Sequence, residues 1–165
     1  MTNTPQMRYS LATGFMVALS TLISDQLSKW YLIEIINLPS RQVIEVSSFF
    51  NLAMVWNRGV SFGMFAEHDQ PYILIALSLV ICAILVIWLT RADKPWVSAA
   101  LGLVIGGALG NVIDRLHYGA VADFFDFYIG NAHWPAFNIA DSCIFIGVVL
   151  LCIDSMFMQH KQGNE

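Results

Sequence analysis

The most constraining feature of this sequence is a set of long apolar runs. From Pro71 to Leu89 the chain carries no charged residue at all. A helix needs about 20 mostly apolar residues to cross the roughly 30 Å hydrocarbon core of a bilayer. Three other runs have comparable length. The sequence therefore predicts four transmembrane helices, at about residues 10–36, 71–90, 96–113 and 139–158.

The composition agrees with a membrane protein. Of the 165 residues, 57% are hydrophobic and only 12% are charged, whereas about a quarter are charged in typical soluble domains. The length suits a single domain over residues 1–165. The net charge of −4 argues against a nucleic-acid partner, because phosphate binding needs a basic face. We expect one integral membrane domain surrounded by lipid.

Cysteine and histidine usage argues against a bound metal. The three cysteines all lie in apolar runs without C-x-x-C spacing, and the four histidines form no H-E-x-x-H pattern. Neither a zinc site nor a disulfide framework is indicated. We predict that the protein uses no metal and no cofactor.

Two polar segments, 37–70 and 114–138, interrupt the apolar runs. Within the first, the sequences V-I-E-V and F-F-N-L-A-M-V-W are rich in β-branched and aromatic residues, which favours short strands. The stretch Asn57–Phe65 mixes glycines with bulky apolar side chains, which is typical of a bilayer-surface segment or a hinged lid. The predicted fold class is an all-α membrane protein with a small sheet in its polar part.

The orientation of the spans follows from a short basic loop. Residues 90–95 place Arg91 and Lys94 between two predicted spans, and short loops rich in Lys and Arg lie in the cytoplasm. With four spans, both termini would also be cytoplasmic. The segments 37–70 and 114–138 would then lie on the outer side.

Asp25 and Lys29 lie four positions apart in the first predicted span and therefore share a helix face. One interpretation is a mutually neutralised pair near the outer end of the helix, with Lys29 extending toward water. The other is a charged pair that braces the wall of an active site. The sequence leaves both open.

The third predicted span carries a glycine stripe. Gly102, Gly106 and Gly110 recur every four residues, a spacing that lets another helix approach closely. We expect packing within the chain rather than dimerisation. Asn111 and Arg115 follow the stripe, again four apart, and are predicted to point into the bundle.

Two aspartates stand out in the stretch 121–145. Asp123 and Asp141 lie eighteen positions apart, the second just inside an apolar run, and a carboxylate beside hydrocarbon is costly enough to indicate function. Asn138 is a favourable N-cap, which puts Asp141 at the third helical position, where the helix dipole favours a carboxylate. The structural alternative is that Asp141 only completes a capping box.

Two carboxyl groups at hydrogen-bonding distance would share a proton, because their charges repel. The ionised member could draw a proton from water while the protonated member supports the developing oxyanion and the leaving nitrogen, as in aspartic proteases. A Ser–Lys pair at Lys29 and a nucleophile at Cys143 fit less well, since Asp25 favours charged lysine and no histidine accompanies the cysteine. A small proton-coupled transporter and a non-enzymatic membrane subunit remain as alternatives.

Several separated motifs resemble those of the lipoprotein signal peptidase (signal peptidase II) family. The resemblance extends over most of the chain, and the motifs follow the family's order and spacing. They are D-Q-L-S-K at 25–29, N-R-G-V-S-F-G at 57–63, G-G-A-L-G-N-V-I-D-R at 106–115, V-A-D-F-F-D-F at 121–127 and F-N-I-A-D-S at 137–142.

The resemblance implies a multi-pass aspartic protease of the bacterial inner membrane, with Asp123 and Asp141 as the catalytic dyad. The implied substrate is a prolipoprotein whose lipobox cysteine already carries diacylglycerol, cut before that cysteine at the periplasmic face. A small periplasmic β-sheet and a short surface helix would close over it. We expect a monomer. Eight further positions would shape or support the site: Asp25, Lys29, Asn57, Gly59, Asn111, Arg115, Asn138 and Ala140.

Asp126 is a competing carboxylate three residues after Asp123. Asp123 holds the motif position, and we expect Asp126 to be solvated at the surface.

Overall fold

The computed structural model describes residues 5–59 and 70–162. Within these residues, four long helices form a bundle, and a four-stranded antiparallel sheet covers one of its ends. The elements are α1 (Pro5–Trp30, continued by a π-helical turn at Tyr31–Ile35), α2 (Leu38–Arg41), β1 (Val43–Ser47), β2 (Phe50–Asn57), α3 (Gln70–Leu89), α4 (Pro95–Tyr118), β3 (Val121–Ile129), β4 (Ala132–His133) and α5 (Ile139–Gln162).

Among the described helices, three are long and apolar enough to cross a membrane: Pro71–Leu89, Pro95–Tyr118 and Ile139–Met156. The other long helix, α1, has 26 residues but is interrupted by charge at Asp25 and Lys29. The protein is therefore helix-rich and membrane-embedded, with a small antiparallel sheet.

Helix α4 is the central element of the bundle. About two thirds of the residues in its apolar stretch are buried inside the protein, compared with 17% in the apolar stretches of α3 and α5. Its glycines explain the close packing: a Cβ on Gly106 would collide with the carbonyl oxygen of Ala18 on α1, and a Cβ on Gly107 would lie 2.6 Å from that of Ala140 on α5. The predicted use of the glycine stripe for packing within the chain is confirmed.

Helix α4 also continues past the predicted end of its span at residue 113. It stops at Tyr118, where Gly119 adopts a left-handed conformation (φ +69°) and donates its N–H to the Arg115 carbonyl. A glycine just past the last helical residue is a common stop signal. Arg115 therefore belongs to the last turns of α4 rather than to an outer loop.

The sheet has the strand order β1-β2-β3-β4. The predicted strands in segment 37–70 are confirmed as β1 and β2. On β3, Asp123 is opposite Val55 and Asp126 is opposite Asn51. A small apolar cluster of Leu32, Leu38 and Phe124 fastens this sheet to the end of α1.

The proposed surface segment or lid at Asn57–Phe65 falls largely outside the described residues. Asn57 and Gly59 are described, and residues 60–69 are not. Within 37–59, the helix present is the four-residue α2.

Candidate active site

The two predicted catalytic aspartates come from different elements and meet through one asparagine. Asp123 lies on β3, and Asp141 lies in the first turn of α5. Asn138 donates from Nδ2 to Asp123 Oδ1 at 2.7 Å, and its own Oδ1 accepts the backbone N–H of Asp141 at 2.9 Å. Asn138 is fully buried, so this link is fixed by packing. The fold thus brings together two residues that are eighteen positions apart.

Asp141 does complete a capping box, but only one of its oxygens is used for it. The backbone N–H of Asn138 donates to Asp141 Oδ2 at 3.3 Å, which is the reciprocal bond of that motif. Oδ1 instead accepts a 2.8 Å hydrogen bond from Asn111 Nδ2 on α4. The side chain of Asp141 is only half-buried, so it remains accessible from the outside of the bundle.

Asp123 is almost completely enclosed, at 1% exposure. Its Oδ2 accepts from Asn57 Nδ2 at 3.0 Å, and Asn57 in turn accepts the backbone N–H of Gly59 at 2.9 Å. Burial, and after it the charge of Asp141, raises the pKa of Asp123 to about 7, although Asn57, Lys29 and Asn138 oppose this rise. At neutral pH, Asp123 can therefore either hold or release a proton.

Behind the two aspartates lies a buried cluster of charges. Lys29 Nζ lies 2.7 Å from Asp25 Oδ2 and 2.7 Å from Asp114 Oδ2, and all three side chains are at most 3% exposed. The interpretation in which Lys29 extends toward water is wrong, because its ammonium group is enclosed between two carboxylates. The ammonium also donates to Asn111 Oδ1 at 3.3 Å.

Asp114 was not singled out from the sequence, although its position offered a signal. It follows Gly110 by four residues and Asn111 by three, which puts all three on neighbouring parts of one helix face. The expected helix end at residue 113 concealed this, because Asp114 then looked like the start of a loop. Gln26 was not singled out either; it lies inside α1, and its Nε2 donates to Asp114 Oδ1 at 3.0 Å.

The remaining predicted site residues also lie close to the dyad. Arg115 Nη1 donates to the Asn111 carbonyl at 3.3 Å, and the charge of Arg115 interacts with Asp141, Asp114 and Asp123. Within residues 5–59 and 70–162, Arg115 Nε has no hydrogen-bond partner. The last two predicted site residues contribute through the backbone. The N–H of Ala140 donates to Asp25 Oδ1 at 3.0 Å, and Gly59, with φ +104°, closes the turn after Asn57.

Asp126 is not at the surface, which contradicts its expected solvation. It is 7% exposed and accepts from Asn51 Nδ2 at 3.2 Å, while His133 Nδ1 lies 2.8 Å from its Oδ1. Positions three apart on a strand point to opposite faces, so Asp126 is turned away from Asp123. Its contacts join the strands of the sheet.

An apolar cavity opens beside Asp141. It has a volume of about 360 Å³ and is lined by Trp134, Phe137, Asp141, Ser142, Phe145 and Ile146. Phe145 and Ile146 lie on the outer side of α5 and are 70% and 50% exposed. The cavity therefore joins a carboxylate to an exposed apolar surface of α5.

The residues that the structure describes contain no group of three or more His, Cys, Asp or Glu side chains that could hold a metal ion. The expectation that no metal and no cofactor is needed stays a prediction.

A membrane-embedded helical protein with two carboxylates linked through one buried asparagine belongs to the class of membrane proteins whose ionisable groups are equipped for acid–base chemistry. Within that class, the family model described as Signal peptidase (SPase) II matches residues 17–157. The chain belongs to the signal peptidase II family and is an enzyme of the aspartic peptidase type. This assignment does not support the transporter alternative.

Individual relatives agree over nearly the whole length. The chain is 40% identical over 153 residues to the lipoprotein signal peptidase of Methylocella silvestris, covering 92% of this chain and 90% of the relative. It is 42% identical over 152 residues to that of Beijerinckia indica, covering 91% and 90%. A bacterial membrane enzyme solved by the in meso method at 1.9 Å resolution is 31% identical with a TM-score of 0.76, covering 87% of this chain and 92% of that one.

Proposed function

We propose that this protein is a membrane aspartic endopeptidase that removes the signal peptide from diacylglyceryl-modified prolipoproteins, cutting before the lipidated cysteine. Membership of the signal peptidase II family, and the relatives that are lipoprotein signal peptidases, support the reaction. The observation that carries the proposal is the double role of Asn138. One buried side chain binds Asp123 and caps the helix that begins with Asp141.

The roles of the two aspartates differ because their surroundings differ. Asp141 is the ionised base: it lies at a helix N-terminus, where N–H donors and the helix dipole favour a carboxylate, and it faces the apolar cavity. Asp123 is the acid, since its pKa of about 7 lets it carry a proton at neutral pH. Two neighbouring carboxyl groups, one of which can hold a proton at neutral pH, are the arrangement that acid–base hydrolysis requires.

The reaction then proceeds without any further group. Asp141 takes a proton from water, and the resulting hydroxide attacks the carbonyl carbon of the scissile amide. Asp123 donates its proton to the oxygen that becomes negatively charged. When the tetrahedral intermediate collapses, the C–N bond breaks, the leaving nitrogen takes the proton held by Asp141, and the hydroxyl proton returns to Asp123.

The other predicted site residues hold these two groups in place. Asn57 and Asn138 orient the Asp123 carboxyl, and Asn111 orients that of Asp141. Arg115 supplies positive charge near both. The remaining positions act through the backbone or through buried charge: Asp25, Lys29, Gly59 and Ala140.

The substrate would reach the dyad sideways from the bilayer. Its signal helix and its diacylglyceryl group are both apolar, and the cavity beside Asp141 meets the exposed side chains of Phe145 and Ile146. An opening of this kind lets apolar groups stay in lipid while the scissile amide meets water. We assign membrane lipids as the other partner and a monomer as the working unit.

We further propose a four-span topology in the bacterial inner membrane, with both termini in the cytoplasm. The basic loop of Arg91 and Lys94 precedes α4, whereas the dyad lies beside the other end of that helix. Placing the loop in the cytoplasm therefore puts the sheet and the active site at the periplasmic face. Helix α1 would be the fourth span, with its charges neutralised inside the bundle.

The test uses the purified full-length protein in lipid and a prolipoprotein precursor with or without the diacylglyceryl group. We expect cleavage of the modified precursor, with the lipidated cysteine at the new N-terminus by mass spectrometry. Asp154→Asn, which removes a carboxylate paired with Lys94 at the opposite end of α5, is the control and should cleave normally. Equal cleavage of the unmodified precursor, or cleavage at another bond, would contradict the proposal.

A further inference from the structure

A single buried ammonium group, that of Lys29, lies between two carboxylates that bind the elements carrying Asp123 and Asp141. Lys29 on α1 is paired with Asp25 on the same helix and with Asp114 on α4, each at 2.7 Å. We call these three residues the buried triad. Their side chains are 3%, 0% and 1% exposed, respectively, so all three are held in place by the surrounding protein.

Each carboxylate of the buried triad also binds one particular backbone N–H. Asp25 Oδ1 accepts that of Ala140 at 3.0 Å, and Asp114 Oδ2 accepts that of Ala122 at 3.1 Å. Ala140 immediately precedes Asp141, and Ala122 immediately precedes Asp123. Each carboxylate of the triad therefore binds the backbone one residue before one of the two aspartates: Asp25 before Asp141, and Asp114 before Asp123.

We propose that the buried triad sets the separation of Asp123 and Asp141, and that Asp114 is a positioning residue for the reaction. This inference rests on the proposed function. A chain of short contacts runs from the start of α5 through Asp25, Lys29 and Asp114 to the start of β3. Along the chain, Ala122 and Ala140 are eighteen positions apart. Asn138 links the same two elements from the other side, through the Ala122 carbonyl, Asp123 and the Asp141 N–H.

The charges within the buried triad favour a fixed separation of Asp123 and Asp141. Two carboxylates facing one another would repel, and the ammonium between them converts that repulsion into two charge-assisted hydrogen bonds. The N–H of Ala140 lies in the first turn of α5, where backbone donors have no partner within the helix. Gln26 helps to hold Asp114 in place, because its Nε2 donates to Asp114 Oδ1 at 3.0 Å and to the Gly110 carbonyl at 3.2 Å.

The experiment compares two substitutions at Asp114 that remove the same charge. Asp114→Asn keeps an oxygen that can accept the Ala122 N–H, whereas Asp114→Leu has the same branching at Cγ, a larger side chain and no acceptor. We expect Asp114→Leu to lower kcat about 100-fold, the effect of a misplacement of about 1 Å. KM should stay within about threefold, because the triad contacts no substrate, and Asp114→Asn should retain most of the activity.

A second readout does not depend on cleavage. The charge of Asp141 contributes to the raised pKa of Asp123, so a larger separation should lower that pKa. We would follow the Asp123 carboxyl band by infrared spectroscopy during a pH titration, assigning it by its loss in Asp123→Asn. The midpoint should move down in Asp114→Leu more than in Asp114→Asn. Asp154→Asn is again the control and should change neither kcat nor the midpoint.

The outcomes separate the two proposals. If the wild type does not cleave the lipidated precursor, the proposed function fails, and the infrared midpoint alone then decides on the positioning role. Equal kcat and equal midpoints for Asp114→Leu and Asp114→Asn would overturn that role, as would a loss confined to KM. If Asp114→Leu does not fold, Lys29→Arg and Lys29→Met take its place. The charge-preserving arginine should recover activity that methionine loses, and equal loss in both would overturn the role.

Discussion

Replacing Asp123 by asparagine should abolish cleavage and at the same time stabilise the protein at alkaline pH. In the folded protein, burial and the charge of Asp141 raise the pKa of Asp123 from its ordinary value of 3.8 to about 7. The folded state thus holds this proton more tightly than the unfolded state. The stability that it contributes is fully present below about pH 4 and is lost as the pH rises through 7.

The size of this loss follows from the two pKa values. Each pH unit between them costs about 1.4 kcal/mol, so the full loss is about 4 kcal/mol, and about 3 kcal/mol of it falls between pH 5 and pH 8. Asparagine at position 123 has no proton to lose. Its amide group would face the donor of Asn57 or Asn138, which costs about 1–2 kcal/mol at every pH. We therefore expect similar stabilities at pH 5 and a more stable variant at pH 8.

The assay is thermal unfolding of the purified protein in detergent micelles at several pH values between 5 and 8. Glu45→Gln, which removes an exposed carboxylate from β1, is the control for the loss of one charge. Parallel stability curves for Asp123→Asn and the wild type would refute the reasoning. A variant that is less stable than the wild type at pH 8 would refute it as well.

The remaining predictions concern packing and the sheet. Gly110→Ala should destabilise the protein by about 1–3 kcal/mol, because its Cβ would lie 2.5 Å from Asp25 Oδ2. That oxygen is held by two partners. Thermal unfolding measures the change in stability. Gly119→Ala, with no atom within 4 Å but φ +69°, should cost only about 1 kcal/mol, and a reversed order would contradict the packing argument. Asp126→Asn should leave the cleavage rate within about threefold of the wild type. It should lower stability by about 1–2 kcal/mol, because it weakens the contact with His133. A complete loss of cleavage would mean that Asp126 takes part in catalysis.

The hydrophobic pattern predicted most of the fold. An uncharged run such as Pro71–Leu89 has no soluble alternative, and α3 covers it almost residue for residue. The strands β1 and β2 followed from β-branched and aromatic residues next to one another. Helix ends were less predictable, because α4 ends at a glycine capping position and not where the apolar residues stop.

The candidate site was predictable in its residues but not in its connections. Asn138 as an N-cap and Asp141 at the third helical position are local relations, and the hydrogen bonds confirm them. The contact of Asp114 with Lys29 joins residues from two helices, and no local pattern specifies which side chains meet across a bundle. Asp126 illustrates the same limit, since its partners, His133 on β4 and Asn51 on β2, come from other strands.

The central claim is that Asp123 and Asp141 act as one unit, and the most direct test is the rate of a single turnover. We would measure cleavage of the diacylglyceryl-modified precursor by the wild type, by Asp123→Asn, by Asp141→Asn and by the double variant, each shown to be folded. Groups that act together lose their effect together, so each single variant should lose at least about 1,000-fold and the double variant should be no slower than the slower single one. A single variant with the wild-type rate, or losses that multiply in the double variant, would contradict the account.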